Sequence, residues 1–306
     1  EQPEKASNIA SRMELKKGDV DAGFAAADVV VERDFSTPTV HQGYIEPHAT
    51  TVRYDEDGQS MVWCSTQGHF DVRAIISTLL SMDLSKLKVV ASEIGGGFGA
   101  KTTVYLEPVA LMLSKKSGRP VKMAMTRDEV FRASGPGSAT RSRVKIGATK
   151  DGTITAMQAQ LNYAAGAFKG SPMGPGCMTA FTPYDVENMY VEGYDVVVNK
   201  PKAAAYRAPG APQAEFAAEM AVNELADKLG IDPIEFRLQN AAKEGTQTIY
   251  GPQLKVVGLV ECLEAAKNSP QYKQALAENQ GRGLAAGFWF NIGGQSSVVI
   301  NMKPDG

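Results

Sequence analysis

The spacing of hydrophobic and polar positions predicts helices and strands along most of the chain, with no internal repeat. The strongest helical pattern covers residues 212–230, where apolar side chains recur every three or four positions and Gly230 ends the pattern. We expect the buried side of this helix to carry Phe216, Met220, Val222 and Leu225. A second helix is predicted from residue 233, because Asp232 is a good N-cap and a proline occupies the first turn.

The preceding part of the chain mixes shorter helical and strand patterns. Helices are expected over 18–28, 68–82 and 104–117. Strands are expected from Val29, over Leu87–Ile94 and over 120–126. Two hairpins are predicted around Asp57-Gly58 and Asp151-Gly152, because alternating apolar residues flank each pair.

Two stretches depart from these regular patterns. Residues 165–183 are rich in glycine and proline, so we expect a loop, which either lines a pocket or lies on the surface. Residues 283–303 alternate like a strand, and the turn signal that follows at 304–306 has no partner strand after it. We therefore expect either that the chain is a piece of a longer polypeptide or that its next strand is disordered.

The composition narrows the classes of function. The 306 residues are 43% hydrophobic and 22% charged with a net charge of −2, which is typical of a globular protein. Because positive and negative charges are interspersed, we expect no nucleic-acid partner. The apolar runs are too short to span a membrane and the N-terminus lacks an apolar signal core, so we expect a cytoplasmic protein.

The cysteines and histidines predict no metal site built from side chains. The cysteines lie far apart without the spacing of a zinc or iron–sulfur motif, so we expect buried free thiols at Cys64, Cys177 and Cys262. The histidines also lack metal-binding spacing, so we expect structural roles for His41, His48 and His69.

The stretch VVASEIGGGFGAKTT, residues 89–103, allows three interpretations. A phosphate-binding loop aligns with its first glycine and with Lys101-Thr102, but it requires glycine where this chain has Ala100. A dinucleotide fingerprint fits Gly95–Ala100 and needs an acidic residue about 20 positions later, which Asp128 supplies. The third interpretation is a tight turn between a strand and a helix.

Four separated motifs point to one family. They are HQGYIEPHATTV (41–52), CSTQGHF (64–70), EIGGGFGAK (93–101) and KAAAYRAPGAPQAEFAAEMAVNELADKLGIDPIEFRLQNA (202–241). With these motifs, the chain resembles the molybdenum-cofactor subunit of the xanthine oxidase and aldehyde oxidase family of molybdenum hydroxylases. The resemblance runs from about Gly18 to the end in the family's order, which is more specific than a lone glycine pattern.

The resemblance implies a cofactor site built largely from backbone. In the family a pterin dithiolene holds the metal, so this chain is expected to supply no metal ligand. Gln67 is implied to hydrogen-bond an oxygen ligand of molybdenum, and Arg207 to lie in a segment that passes close to the metal; these two are the implied catalytic residues. The implied cofactor-binding residues are Gln67, Gly96, Gly97, Phe98, Gly99, Arg207 and Ala208. The implied substrate pocket contains Met178, Ala208 and Pro209.

Departures from the family's patterns limit the substrate class. Carbon monoxide dehydrogenases of this family have a copper-binding cysteine where this chain has Ala208, so copper-dependent oxidation of carbon monoxide is not expected. Xanthine dehydrogenases differ at the positions of Thr102 and Pro209, and residues 175–178 contain no arginine that could bind a purine. The pattern is closer to bacterial enzymes that act on aldehydes, N-heterocycles or aroyl-CoA thioesters.

The resemblance also implies the fold and the partners. We expect an α+β fold of mixed sheets packed with helices, of the xanthine oxidase molybdopterin-binding type and incomplete at its C-terminus. The expected divisions are an N-terminal segment with a short helix (1–28), a first cofactor-binding domain (29–245), and a connector with the first strands of a second such domain (246–306).

The implied reaction inserts oxygen from water into a small-molecule substrate and requires more than this chain. The general-base glutamate is expected in the remaining C-terminal cofactor domain, because Glu46 and Glu93 are better suited to orienting or packing against backbone. The molybdopterin is expected in its cytosine dinucleotide form, with iron–sulfur clusters and FAD on an iron–sulfur subunit and a flavoprotein subunit. This chain alone is expected to be inactive.

Two other functions remain open from the sequence. An NAD-dependent dehydrogenase would use the Gly95–Ala100 loop together with Asp128. A non-catalytic scaffold would keep the same fold, bind no cofactor and act through partner subunits.

Overall fold

A computed structural model of the chain describes residues 7–290 and 296–304, which form two mixed β-sheets with helices packed against them. The strands are β1 (Ile9–Lys17), β2 (Val29–Thr37), β3 (Ala49–Arg53), β4 (Ser60–Cys64), β5 (Leu87–Ala91), β6 (Val121–Ala124), β7 (Thr140–Ala148), β8 (Ile154–Gly166) and β9 (Asn188–Val197). The helices are α1 (Val20–Ala25), α2 (His69–Leu80), α3 (Glu107–Ser117), α4 (Arg127–Ala133), α5 (Met173–Thr179), α6 (Ala211–Leu229), α7 (Pro233–Asn240), α8 (Leu259–Asn268) and α9 (Pro270–Lys273). This architecture confirms the predicted α+β fold.

The first sheet has the strand order β1-β9-β8-β7-β2. Its central neighbours β8 and β9 run parallel, while the other neighbouring strands run antiparallel. Helix α6 packs against β2 and β7, and α5 lies between α6 and β9. The core between these elements buries Ile146, Leu161, Phe181, Val222 and Phe236, whose removal from water stabilises the fold.

The second sheet is smaller and has the order β5-β4-β3-β6, with β4 and β5 parallel. Helix α2 packs against β5, and α3 packs against β3 and β6. Its separate core contains Val52, Val62, Ile76, Leu87 and Leu111, all fully buried. Each sheet therefore has its own hydrophobic core.

Local sequence signals predicted several elements correctly. The hairpins form around Asp57-Gly58, between β3 and β4, and around Asp151-Gly152, between β7 and β8. Helix α6 ends at Gly230, which has a left-handed φ of 68°. Helix α7 begins after Asp232, whose carboxylate accepts two backbone N–H groups of the first turn.

The buried side of α6 differs from the prediction. Val222 and Leu225 are buried, but Phe216 and Met220 are 44% and 48% exposed. Alanines supply most of the rest of the buried side, at positions 211, 214, 217, 218, 221 and 226, together with Glu219. The helix packs closely on its neighbours because the alanine side chains are small, and the two larger residues are left on its outer side.

The predicted loop over 165–183 was also partly wrong, because the structure forms α5 within it. A Cβ at Gly176 would lie 2.2 Å from Tyr163 Oη, and a Cβ at Gly210 would lie 2.2 Å from the carbonyl oxygen of Pro172. Glycine is therefore required here by close packing. The same composition indicated a loop because packing contacts cannot be seen in a local pattern.

The strand predicted over 283–303 does not form in the described parts of that range, 283–290 and 296–303; residues 291–295 lie outside the described residues. The backbone instead bonds to side chains of α6. The Ala286 N–H donates to Glu219 Oε2 at 2.5 Å, and the Phe288 N–H donates to Glu215 Oε1 at 2.8 Å. A strand needs a neighbouring strand for its backbone groups, and here carboxylates take that role.

The connections between the two sheets converge on one region. The glycine-rich stretch follows β5 of the second sheet, and the arginine-containing stretch 202–210 leads into α6 on the first. Residues 38–48 run from β2 of the first sheet to β3 of the second. The candidate site residues therefore lie where these connections meet. In the part of the chain that the structure describes, no helix has the length and apolar character to cross a membrane.

Candidate functional site

The glycine loop, defined as residues 95–101, is held at both ends by one carboxylate. The Gly95 N–H donates to Glu46 Oε2 at 2.7 Å, and Lys101 Nζ donates to the same oxygen at 2.6 Å. Ser65 Oγ donates to it at 3.0 Å. Burial acts to raise the pKa of Glu46, but these donors hold it below its ordinary value. As predicted, Glu46 orients backbone.

Gln67 supports the middle of the glycine loop. Its Oε1 accepts the N–H groups of Gly99 at 2.8 Å and of Lys101 at 3.3 Å. A Cβ at Gly97 would lie 2.5 Å from this oxygen, so a side chain there would displace the Gln67 amide from the glycine loop. Because the carbonyl end of the exposed amide is engaged, its Nε2 donors are left for a ligand; they have no acceptor among the described residues.

The glycine loop presents unpaired backbone N–H groups. Among residues 7–290 and 296–304, no acceptor bonds the N–H groups of Gly96, Gly97 or Phe98. Gly97 is buried, and a buried N–H without an acceptor is unfavourable unless a ligand or water satisfies it. Phe98 has a φ of 52°, a conformation that non-glycine residues rarely adopt outside functional sites. Consecutive free N–H groups are suited to binding an anionic or polar group.

The arginine turn, defined as residues 205–209, contacts the glycine loop directly. The Arg207 N–H donates to the Phe98 carbonyl oxygen at 2.9 Å. A Cβ at Gly99 would lie 2.7 Å from the Ala205 carbonyl oxygen and 2.8 Å from its Cβ, so the approach requires glycine. Ala208 has a φ of 56°, again in the left-handed region. The structure thus brings the two predicted segments into one continuous surface.

The remaining predicted residues lie in the arginine turn and in α5. The Arg207 side chain is exposed, and within the described chain its guanidinium has no carboxylate partner. Ala208 and Pro209 are half-buried, and the next residue, Gly210, packs against the start of α5. Met178 is half-buried in α5 itself. Its place in a substrate pocket stays a prediction.

The geometry does not favour a phosphate or dinucleotide loop. Lys101 is fully buried against Glu46, so its ammonium group is not available to a phosphate. The turn at Ala100–Thr102 is a single 3-10 turn, whereas a dinucleotide fingerprint opens a helix whose N-terminus faces the pyrophosphate. Asp128 lies in α4 and pairs with Arg132 at 3.2 Å on the surface.

The histidines and cysteines behave as structural residues, with one exception. His48 Nε2 lies 2.7 Å from Tyr44 Oη, and burial together with the charge of Lys101 lowers the pKa of His48 to about 4, which keeps the ring neutral. Cys64 and Cys177 are buried as predicted, but Cys262 is exposed. In the described residues, no cluster of side chains could hold a metal ion.

A cavity of about 1060 Å³ lies elsewhere, between α8 and the segment 284–290. Its lining comes from residues 182–183, 242–266 and 284–290, so it does not include the glycine loop or the arginine turn. Gln67, Phe98 and Arg207 are exposed, so the two turns face the surface of the described chain.

Sequence reasoning missed Gln42 and did not connect the first motif to the site. Gln42 is 5% exposed, and its Nε2 donates to the carbonyl oxygens of Gly135 at 3.1 Å and Ala205 at 2.9 Å. The available signal was that Gln42, a polar residue, lies in the motif 41–52 without an obvious role at the surface. The partners lie 93 and 163 positions away, which no spacing rule could identify.

Comparison with known proteins agrees with this geometry. Residues 2–241 match the model of the family described as molybdopterin cofactor-binding domain. The chain is 36% identical over 268 residues to the nicotinate dehydrogenase large molybdopterin subunit of Eubacterium barkeri, covering 85% of this chain and 62% of that protein. It is 31% identical over 288 residues to a xanthine dehydrogenase molybdenum-binding subunit of Escherichia coli, covering 89% of this chain and 37% of that protein.

Among solved structures, the aldehyde oxidoreductase from Desulfovibrio gigas superposes with a TM-score of 0.81 at 28% identity, over 87% of this chain and 30% of that one. The chain therefore spans less than two thirds of the length of these relatives. The family match covers most of the chain and includes all four motifs that carried the resemblance. The chain belongs to the molybdopterin cofactor-binding domain family of the molybdenum hydroxylases.

Proposed function

We propose that this chain forms one wall of the molybdopterin site in a molybdenum hydroxylase that oxidises a small molecule with oxygen from water. The observation that carries the proposal is the contact between the glycine loop and the arginine turn. The Phe98 carbonyl oxygen accepts the Arg207 N–H, while the N–H groups of Gly96, Gly97 and Phe98 find no acceptor in the described chain. A backbone cradle with free donors fits a polar, anionic cofactor.

Gln67, the glycine loop and Arg207 would each contribute a specific chemical group to cofactor binding. The Nε2 of Gln67 would donate to an oxygen of the cofactor, since its carbonyl oxygen is already bonded to the glycine loop. The N–H groups from Gly96 to Phe98 would donate to further cofactor oxygens, and the exposed Arg207 would offset negative charge. When bound, the molybdenum centre supplies the two-electron oxidation of the substrate.

The substrate wall would come from Ala208, Pro209 and Met178. These side chains are small or apolar, so they suit the flat face of a ring or an aldehyde. An N-heterocycle is the class we favour among the aldehydes, N-heterocycles and aroyl-CoA thioesters. This preference is supported by the similarity to a relative named nicotinate dehydrogenase.

The proposed enzyme requires further parts. They are a C-terminal cofactor domain with the general-base glutamate, an iron–sulfur subunit and a flavoprotein subunit with FAD. The cytosine dinucleotide form of the cofactor and a cytoplasmic location complete the proposal. The open surface formed by the two turns supports a site that is finished by a second domain.

The test uses the full-length protein produced together with its partner subunits. We expect stoichiometric molybdenum and pterin by metal analysis and pterin fluorescence, and reduction of an artificial acceptor with an aldehyde or N-heterocycle. Gln67→Leu should lower both the molybdenum content and the activity. Gln59→Leu removes an exposed amide that bonds only the Ser85 carbonyl oxygen and should change neither.

Two results would decide against this proposal. A folded complex that contains neither molybdenum nor pterin would support the scaffold instead. Measurable NAD binding that is lost on Asp128→Ala would support the dehydrogenase.

A further inference from the structure

The first motif of the sequence connects the two turns, although no site residue was predicted in it. Residues 40–48 lie against the turn at residues 134–137. Val40 forms a β-bridge with Gly137, and His41 Nε2 lies 2.9 Å from Ser134 Oγ. Tyr44 Oη lies 3.1 Å from the same hydroxyl. The motif therefore forms a rigid support next to the candidate site.

Two side chains of this support bind the two turns separately. Glu46 holds both ends of the glycine loop through Gly95 and Lys101. Gln42 holds the arginine turn, because its Nε2 donates to the Ala205 carbonyl oxygen at 2.9 Å. That same carbonyl group is the one that Gly99 approaches so closely that a side chain would not fit.

The orientation of the Gln42 amide is fixed by its neighbours. Nε2 faces two carbonyl oxygens, those of Gly135 and Ala205, and only a donor can satisfy both. Oε1 is buried and has no partner among the described residues. A buried oxygen without a donor is unfavourable for folding, so stability alone does not explain a glutamine here. Local violations of this kind are typical of functional sites.

We propose that Gln42 is a positioning residue of the cofactor site, which sets the separation of the arginine turn from the glycine loop. The inference rests on the proposed function of the two turns. It adds that Gln42 acts through Ala205 and does not itself need to touch the substrate or the metal. Without the amide donors, the Ala205 carbonyl group loses its support and the contact between the two turns loosens.

The experiment compares two buried amides in the full-length protein produced with its partners. Gln42→Met keeps the length of the side chain but removes both donors. Asn240→Leu is the matched control, because Asn240 is also 5% exposed and also donates to two carbonyl oxygens, those of Gly152 and Phe236. The Asn240 site lies at the Asp151-Gly152 hairpin, away from the two turns.

The readouts are molybdenum and pterin per folded chain, the rate of molybdenum release during dialysis, and the electron paramagnetic resonance signal of the partly reduced metal. For Gln42→Met we expect release that is about tenfold faster and an altered signal. For Asn240→Leu we expect a lower unfolding midpoint with wild-type release and signal. Wild-type release and signal in Gln42→Met, or equal changes in both variants, would overturn the proposal.

A second variant guards against failure of Gln42→Met to fold. Gln42→Asn keeps the amide but shortens its reach, so release should be intermediate and the signal partly altered; unchanged release and signal would again overturn the proposal. The wild-type measurement distinguishes a failure of the proposed function from a failure of the proposed role of Gln42. Wild type without molybdenum and pterin contradicts the proposed function and, with it, the role of Gln42. Loaded wild type with unaffected variants contradicts the role of Gln42 alone.

Discussion

Two buried ion pairs in this protein share their chemistry and differ in what they hold. Lys101 and Glu46 join at 2.6 Å, and Arg237 and Glu219 join at the same distance. Both cationic side chains are essentially inaccessible. The carboxylates differ, because Glu46 keeps 31% of its side-chain surface exposed and Glu219 keeps 5%.

The pair at Arg237 lies among helices and one extended segment. Its guanidinium also bonds Asn223 Oδ1, and Glu219 accepts the Tyr184 hydroxyl and the Ala286 N–H. Every polar group in this cluster is directed at a regular or packed element. The pair fixes α6, α7 and residues 284–286 to one another, and its polar atoms bond groups of the described chain.

The pair at Lys101 holds a loop instead. Its carboxylate bonds the Gly95 N–H, and Gly96, Gly97 and Phe98 keep N–H groups that have no acceptor in the described chain. The comparison teaches that a buried ion pair is not itself a sign of function. The sign is a buried residue beside the pair whose backbone N–H has no acceptor in the described chain: Gly97 is such a residue near Lys101, whereas Ala285 and Gly287, whose N–H groups are also unbonded near Arg237, are exposed to water.

The largest effect is expected when the Arg237 pair is broken. Arg237→Met leaves Glu219 buried without its cation and should lower the free energy of unfolding by about 3–5 kcal/mol in urea titrations. The double variant Glu219→Gln/Arg237→Met removes the charge and keeps an acceptor for Tyr184, so it should recover much of that loss. A loss below about 1 kcal/mol in the single variant would show that the pair does not hold these helices.

A smaller effect on stability is expected at the loop pair. Lys101→Met should cost about 2 kcal/mol, because Glu46 is partly exposed and keeps the donors of Gly95 and Ser65. Unlike Arg237→Met, it should also lower the molybdenum content of each folded chain. Lys228→Met, which breaks an exposed pair with Glu224, should cost less than about 0.5 kcal/mol and leave the molybdenum content unchanged. Full molybdenum content in Lys101→Met would remove the distinction between the two pairs.

The contact between the turns can be tested with two glycines that both have positive φ. Gly99→Ala must displace Ala205, whereas Gly251→Ala, at a φ of 116° against 104° for Gly99, meets no atom within 4 Å. Both variants introduce left-handed strain, so the difference in their unfolding free energies, about 1–2 kcal/mol, reports the close approach. Equal losses of unfolding free energy in the two variants, in thermal or urea unfolding, would mean that the arginine turn moves without cost to accommodate a side chain at Gly99.

The smallest expected effect is the loss of stability at acidic pH that His48 causes. Because the pKa of His48 is lowered to about 4 in the fold and is about 6.5 in an unfolded chain, the unfolded state binds more protons between these values. The contribution of His48 is thus complete above about pH 6.5 and falls by on the order of 1 kcal/mol on going to pH 5.

Glu215 acts in the opposite direction, since burial raises its pKa to about 7 and its protonated form is favoured in the fold. The informative quantity is therefore the stability of wild type minus that of His48→Gln, measured in urea at pH 7 and pH 5. This difference should decrease toward pH 5. A difference that is independent of pH would contradict a neutral, buried His48.

The sequence predicted elements whose signals are local. The turn at Asp151-Gly152, where Gly152 has a φ of 90°, and the end of α6 at Gly230 depend on backbone conformations that glycine adopts easily, so the residue itself carries the information. Helix α5 was missed because its Gly176 reflects a close contact with Tyr163, which is invisible in a local pattern. Phe216 and Met220 were assigned to the buried side because their size was taken as the guide, whereas alanines make the close contact.

The site residues also divide into those indicated by local motifs and those whose contacts depend on the complete fold. The family motifs indicated the glycine loop and the arginine turn, and the structure brings them into contact through Phe98 and Arg207. The groups that hold them, Glu46 for the loop and Gln42 for the turn, bond partners 55 and 163 residues away along the chain. Such pairings depend on the complete fold, so spacing in the sequence could not predict them.

Amide hydrogen exchange of the full complex shows whether the free N–H groups of the glycine loop face the cofactor. Exchange is measured by mass spectrometry for protein with cofactor and for protein from cells unable to make molybdopterin. We expect the N–H groups of Gly97 and Phe98 to exchange at least about tenfold more slowly in the loaded protein, while peptides around Gly118 are unchanged. Equal exchange in the two forms at Gly97 and Phe98 would contradict this orientation.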